Sequence, residues 1–392
     1  MTLLAPDVLA ALDGVSVEGL RRRRSAKWSR YPDDVIPAWV AEMDFPLAEP
    51  IRTRLREAID AGDVGYPAAA GSGVREALAA WLAREQGWTL DPESVVVLPD
   101  CVHGLELALL AHTEPGDAIV VPTPVYPPFL SVVRTNRRRL VEVPLLGGED
   151  GFAPDLDAIS AALAAGGRMV MLCHPHNPTG HLHDRAQLAA LAQLACRHGA
   201  IVVADEIHAP LTLDGRRHIP FATVSEEAAA CAVTVTSASK AWNIPGLKTA
   251  FLVAGEGPLA PIMAMPPRTR HGCSILGLEA TIAAYEQGGP WLDAVLSVLE
   301  RNRATVLEAV AATMPAVAIV PPRATYLAWL DCRALDLPGG PQEFFLERAR
   351  VALSDGAAFG LGGEGHVRLN FATGAAILDE LLGRMAAALA AR

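Results

Sequence analysis

Hydrophobic positions in the middle of the chain fall in short continuous runs rather than in strict alternation with polar ones. Val95-Val96-Val97-Leu98, Ala118-Ile119-Val120-Val121, Met169-Val170-Met171-Leu172-Cys173, Ile201-Val202-Val203-Ala204-Asp205, Val233-Thr234-Val235-Thr236 and Phe251-Leu252-Val253 are each of strand length. Such runs belong to strands covered on both faces. Between several of them the apolar spacing becomes helical, most clearly over Gly104–Ala111 and Asp184–His198. Strands and helices in alternation predict βαβ units, hence an α/β fold around a mostly parallel sheet.

The two ends of the chain follow other patterns. The first 48 residues are rich in Arg, Trp and Pro and predict an arm with a first helix. Beyond about residue 286 a long helical signal, Trp291–Ala312, leads to strand patterns at Ala316–Val320 and Tyr326–Leu330, a helix over Pro341–Ala349 and a strand at His366–Asn370. The expected division is an N-terminal arm over 1–48 that joins a small domain, a large domain over 49–285, and a smaller α+β domain over 286–392. No repeat of solenoid or propeller period is present.

Composition narrows the function classes. With 392 residues, 51% of them hydrophobic and 20% charged, the chain can bury a large core. Its formal charge of −11 argues against general affinity for nucleic acid or an anionic membrane, which requires a basic surface. The basic run Arg21-Arg22-Arg23-Arg24 reads as a solvated or partner-pairing segment. Six Cys without a CxxC pair fit a reduced chain. The opening residues lack the basic and long apolar regions of an export signal, and no apolar run reaches the roughly 18 residues of a membrane span. A cytoplasmic location is expected.

In open α/β sheets ligands bind beyond the carboxyl ends of the strands, so the polar residues just past the apolar runs come first. Four such places are Pro99–Gly104, His174–Gly180, Asp205–His208 and Ser237–Lys240. Asp205 ends a buried strand, where a carboxylate needs a cationic or hydrogen-bonding partner. Taken alone it reads equally as a turn or helix-capping Asp. Lys240 follows another buried strand, and a desolvated lysine is a nucleophile of Schiff-base type, although most loop lysines are surface charge. Asn177-Pro178-Thr179-Gly180 is a turn signature. The neighbouring His174, His176, His181 and His183 lack accompanying Cys or carboxylate ligands at metal spacing, so no metal is expected.

The combination resembles the pyridoxal 5'-phosphate (PLP)-dependent enzymes of the aspartate aminotransferase fold (fold type I). More narrowly it resembles their cystathionine β-lyase-like branch, the C–S β-lyases of the bacterial PatB/MalY type. The residues that carry the resemblance run in order over nearly the whole chain. They are Lys27-Trp28, Pro37–Phe45, Gly65-Tyr66, Pro122–Tyr126, His176–Gly180, Asp205–His208, Ser237–Gly246, Thr325–Asp331 and Val367–Asn370. The Trp39–Phe45 segment points to the lyase branch rather than to ordinary aminotransferases.

The resemblance implies a mostly parallel, seven-stranded type of sheet in a large PLP-binding domain. It implies that Lys240 holds the cofactor aldehyde and then takes the substrate Cα proton. Asp205 would pair with the ring nitrogen, Asn177 with the ring oxygen, and Tyr126 would stack on the ring. His208 would support the ring pocket. The amides of Cys101 and Val102, at a helix expected to start near Gly104, would receive the phosphate together with Ser237, Ser239 and Lys248. Tyr66 from the neighbouring subunit would complete that site, which implies a homodimer with shared active sites. Arg368 would grip the substrate carboxylate, helped by Asn177, Tyr66 and the backbone around Val40. Two positions depart from the pattern: Cys101 replaces a small or hydroxyl residue, and Glu42 replaces a frequent Asp.

The activity implied is α,β-elimination of cystathionine or another cysteine S-conjugate to pyruvate, ammonia and a thiol. An aminotransferase is the alternative, since both reactions begin by removing the Cα proton. A PLP-binding regulatory protein is a third reading, disfavoured because pure protein contacts require no positioned base.

Overall fold

The computed structural model describes residues 6–67, 73–148 and 151–392. Its central sheet contains β1 (Val95–Leu98), β2 (Ala118–Thr123), β3 (Arg139–Pro144), β4 (Gly167–Cys173), β5 (Ile201–Asp205), β6 (Ala232–Thr236) and β7 (Ala250–Ala254). The spatial order is β1-β7-β6-β5-β4-β2-β3. β7 runs against both its neighbours, and every other pair in this sheet is parallel. The apolar runs are therefore buried strands of a mostly parallel seven-stranded sheet, as expected. β1, β4, β5 and β6 all end at one edge, and β7 begins there.

Helices cover both faces. α1 (Cys101–His112) lies against β6, and α2 (Arg185–Arg197) packs on the opposite face. α1 can approach so closely because residue 104 is glycine: a Cβ there would stand 2.7 Å from Cγ1 of Val235. α2 starts with a reciprocal capping box between Asp184 and Gln187, which satisfies two backbone donors of its first turn.

A second sheet holds β8 (Ala318–Ile319), β9 (Leu327–Asp331), β10 (Ser354–Asp355) and β11 (His366–Asn370) in the antiparallel order β8-β9-β11-β10. It shares a core with α3 (Ile275–Gln287), α4 (Gly289–Thr313), α5 (Ala375–Ala390) and the N-terminal residues. Ile36–Pro37 pairs in parallel with Val351–Ala352, tying the start of the chain to this region.

Several expectations shift. The N-terminal region holds three short helices, Pro6–Asp13, Val17–Arg21 and Ala26–Ser29, rather than one. The strand at 316–320 shrinks to two residues, and the helix at 341–349 divides into an α-helical turn and a π-helical turn, Phe345–Ala349. The helix expected near Gly104 begins at Cys101. In the basic run, Arg21 bonds Asp33 and the Val35 carbonyl, Arg22 pairs with Glu18, and Arg23 donates to the Asp44 carbonyl. These arginines are committed within the chain. Among the described residues no helix is long and apolar enough to cross a membrane.

Candidate active site

The carboxyl edge of the central sheet opens into a cavity of about 300 Å³ whose lining includes Ala41, Cys101, Val102, Tyr126, Asn177, Asp205, His208, Ser239, Lys240, Lys248 and Thr249. The loops after β1, β4, β5 and β6 thus deliver the residues that the strand pattern singled out. At the centre the half-buried Lys240 and the buried Asp205 both line the cavity. Burial and the nearby Arg368 guanidinium hold the Lys240 ammonium down to about 8. Burial lifts the Asp205 carboxyl to about 7, against the Ile207 N–H that donates to it at 3.1 Å. Each group lacks a full counter-charge, and a cation placed against Asp205 would favour its ionised form.

One end of the cavity is built for an anion. Cys101 and Val102 lie in the first turn of α1, whose amides have no acceptor inside the helix. Asp100 caps this turn by accepting from the His103 N–H at 2.8 Å, and Lys248 Nζ stands 3.0 Å from its other oxygen. Thr249 Oγ1 is buried there without a partner. Ser239 lines the wall, whereas the buried Ser237 hydroxyl donates to the Thr249 carbonyl at 2.7 Å and accepts from the Ser239 N–H. Ser237 thus shapes the turn and leaves the lining to Ser239.

Beside the lining residue Asn177, Arg368 on β11 is buried. Its guanidinium donates to Asn177 Oδ1 at 2.8 Å, to the Trp39 carbonyl at 2.8 Å and to Ser354 Oγ at 3.1 Å. Its buried Nε has no acceptor. The Tyr126 N–H donates to the Asn177 backbone carbonyl, which ties these two segments together at the cavity; the Tyr126 ring is half-buried, and burial pushes its phenol up. His208 is buried edge-on to Tyr326 with Nδ1 unpartnered. The Val40 carbonyl accepts from Asn370 Nδ2 at 2.7 Å. Tyr66 does not join this group: it is fully exposed on the surface. Thr249, Ala41 and Tyr326 were not anticipated. Thr249 was within reach of sequence reasoning, because it immediately precedes β7 at the same edge.

The histidines fold a neighbouring core. His174 lies 4.4 Å from His218 and 5.3 Å from His183 between ring centroids, and His218 Nε2 meets Glu206 at 2.9 Å. Among the described residues no group of His, Cys, Asp or Glu is arranged to hold a metal ion.

This architecture is that of the aminotransferase class I and II family, and the chain belongs to it: the family model matches residues 39–385. Cystathionine β-lyase of Corynebacterium glutamicum is 38% identical over 95% of this chain and 99% of its own length. Cystathionine β-lyase PatB of Bacillus subtilis is 36% identical over 93% of this chain and 97% of its own. The crystal structure of a PLP-bound C–S lyase from Staphylococcus hominis superimposes with a TM-score of 0.89 at 28% identity, covering 96% of this chain and 98% of that one.

The residues present fit PLP. The α1 amides, Lys248, Ser239 and the orphaned Thr249 hydroxyl suit a phosphate. The under-compensated Asp205 suits a protonated ring nitrogen, and Lys240 is an amine close to its neutral form at the pH of a cell.

Proposed function

We propose that this chain is a PLP-dependent C–S β-lyase that cleaves cystathionine or a related cysteine S-conjugate to pyruvate, ammonia and a thiol. The observation that carries the reading is a half-buried lysine and a buried carboxylate lining one cavity, with the first turn of α1 in the same lining and a buried arginine bonded to its Asn177. Relatives aligned over nearly their whole length bear the name cystathionine β-lyase, which supports the choice of reaction.

Bound PLP supplies the electron sink that makes a carbanion at the substrate Cα accessible. Lys240 anchors the cofactor and, once free, removes the Cα proton. Asp205 keeps a proton on the ring nitrogen, Asn177 and Tyr126 hold the ring in register, and His208 supports the ring pocket. Arg368 receives the substrate carboxylate, exchanging its present acceptors for it and offering the unpartnered Nε, with the Val40 backbone alongside. With a thioether sulfur on Cβ, the electrons released at Cα break the Cβ–S bond and expel a thiolate, so no amino acceptor is required.

The large domain over 49–285, the smaller one over 286–392 and the arm over 1–48 form the working division, with the cavity lined by the large domain and by Ala41 of the arm. We assign the chain to the cytosol as a homodimer. Tyr66, Val64 and Ile59 place exposed apolar surface in one short stretch, which suits a contact through which Tyr66 reaches the partner's phosphate site. Thiol release from cystathionine and from S-alkyl cysteines, followed with a thiol-reactive chromophore, tests the reaction. Absence of thiol from every one of them contradicts it.

A further inference from the structure

The segment from Trp39 to Asp44 has no regular secondary structure, yet its Ala41 lines the cavity. Buried backbone carbonyls need donors, and here side chains from distant parts of the chain supply them. The Trp39 carbonyl accepts from Arg368 at 2.8 Å and from Ser354 at 2.5 Å. Asn370 Nδ2 bridges the Val40 and Glu42 carbonyls at 2.7 Å each. Asn243 brackets Met43, accepting from its N–H at 2.9 Å and donating to its carbonyl at 2.8 Å. The Asp44 carbonyl takes Arg23 at 2.7 Å. In the middle, the Ala41 carbonyl accepts from two groups at once, Lys240 Nζ at 2.7 Å and the Tyr326 hydroxyl at 3.0 Å.

Behind this strap lies a buried ion pair that the cavity does not touch. Lys27 Nζ meets Asp44 Oδ2 at 2.9 Å and donates to the Glu42 carbonyl at 3.1 Å. The other Asp44 oxygen accepts from Trp28 Nε1 at 2.6 Å. Both Lys27 and Asp44 are buried. A pair so desolvated is seldom an economical source of stability, and what it supplies is fixed geometry. The geometry fixed here is that of the Ala41 carbonyl, which meets the amine of Lys240.

Resting on the functional reading above, we infer that Lys27, Asp44 and Tyr326 are positioning residues for Lys240, acting through the Ala41 carbonyl. The ion pair clamps the strap so that this carbonyl meets the amine, and Tyr326 shares the same acceptor. Lys240 also faces Arg368, which disfavours its charged form, and Cys101, Asp205 and Glu42, which favour it. A carbonyl that accepts from the ammonium favours its protonated form, so the strap adds to these in setting the pH at which Lys240 becomes a nucleophile and a base. Loosening the strap frees the amine at lower pH. Removing the competing hydroxyl leaves the carbonyl to Lys240 alone and delays its deprotonation.

The experiment follows covalent capture of PLP by the full-length protein after the cofactor has been stripped. Only the neutral amine attacks the aldehyde, with loss of water, so the pH midpoint of the capture rate reports Lys240. Lys27→Met combined with Asp44→Asn removes both charges while keeping an acceptor for Trp28, and its midpoint is expected to fall by about half a pH unit. Tyr326→Phe is expected to move the midpoint upward by a similar amount. In steady state the double variant should lose kcat more than it raises KM, whereas Ser354→Ala, at the arginine end of the strap, should do the reverse. Midpoints that stay with the wild type in variants of native melting behaviour overturn the proposal. If the double variant does not fold, Tyr326→Phe decides by itself. Failure of the wild-type protein to capture PLP at all brings down both this proposal and the functional reading, whereas capture with unmoved midpoints brings down only this one.

Discussion

In the proposed reaction Lys240 is the residue on which the chemistry turns, and its environment suits that role. Burial and Arg368 bring its ammonium to about 8, close enough to neutrality that an amine can form without a separate base. Lys240→Ala should abolish the visible absorption of lysine-bound cofactor and nearly all turnover; full activity in that variant removes the assignment. Asp205→Ala acts on charge that develops only as the Cα proton leaves, so on PLP-loaded protein kcat should fall by about 100-fold or more while KM moves little. Arg368→Ala should show the other balance, chiefly a raised KM. An Asp205→Ala variant with unchanged kcat and only a raised KM contradicts the role given to the carboxylate. Lys240, Asp205 and Asn177 were legible in sequence because each follows an apolar run that ends at one sheet edge. The Ala41 carbonyl was not, because any residue type can supply a backbone acceptor, and neither was its buried support, which comes from residues far apart in the chain.

At the scale of elements, the anion site depends on how closely α1 lies against β6. Gly104 permits that approach, and a methyl group there would meet Val235 Cγ1 at 2.7 Å and Leu98 Cδ1 at 3.3 Å. Gly104→Ala should cost about 1–3 kcal/mol of stability and weaken PLP retention, because the displaced helix carries the Cys101 and Val102 amides with it. Chemical denaturation together with cofactor dissociation measures both effects; a variant with wild-type stability and retention contradicts this account of the helix position. The strands of the central sheet were readable because strands buried on both faces are continuous apolar runs. β3 escaped because it is an edge strand with half-exposed residues and an exposed Arg139. α3 escaped for the opposite reason: Gly277, Leu278 and the whole stretch from Ala280 to Tyr285 are buried, so no polar face marks a helical period.

For the molecule as a whole, the buried histidines govern the response to acid. Burial depresses the imidazoles of His176 to about 3 and His181 to about 4, and pushes His174 and His183 well below their ordinary value of 6.5. Between the folded and unfolded values the unfolded chain binds more protons, so these groups contribute stability at neutral pH that is lost as the pH falls below about 6.5. Asp205, raised to about 7, works the other way between 7 and its ordinary 3.8, and is outnumbered. In the His218–Glu206 pair burial disfavours both charges, and their opposite effects largely cancel. The melting temperature should therefore decline steadily from about pH 6.5 downward, each group adding up to about 1.4 kcal/mol per pH unit; a flat profile between pH 6.5 and 5 contradicts it. The proposed homodimer predicts that Tyr66→Ala lowers PLP retention without unfolding the chain, and a fully active monomer in sedimentation at assay concentration overturns the shared site. The central claim, elimination rather than amino transfer, is tested most directly by counting pyruvate released from cystathionine per active site with no 2-keto acid present. Elimination predicts many equivalents, with the cofactor back in its aldehyde form after every cycle. A halt without catalytic pyruvate, with the cofactor left as its amine and turnover restored only by added 2-keto acid, contradicts it.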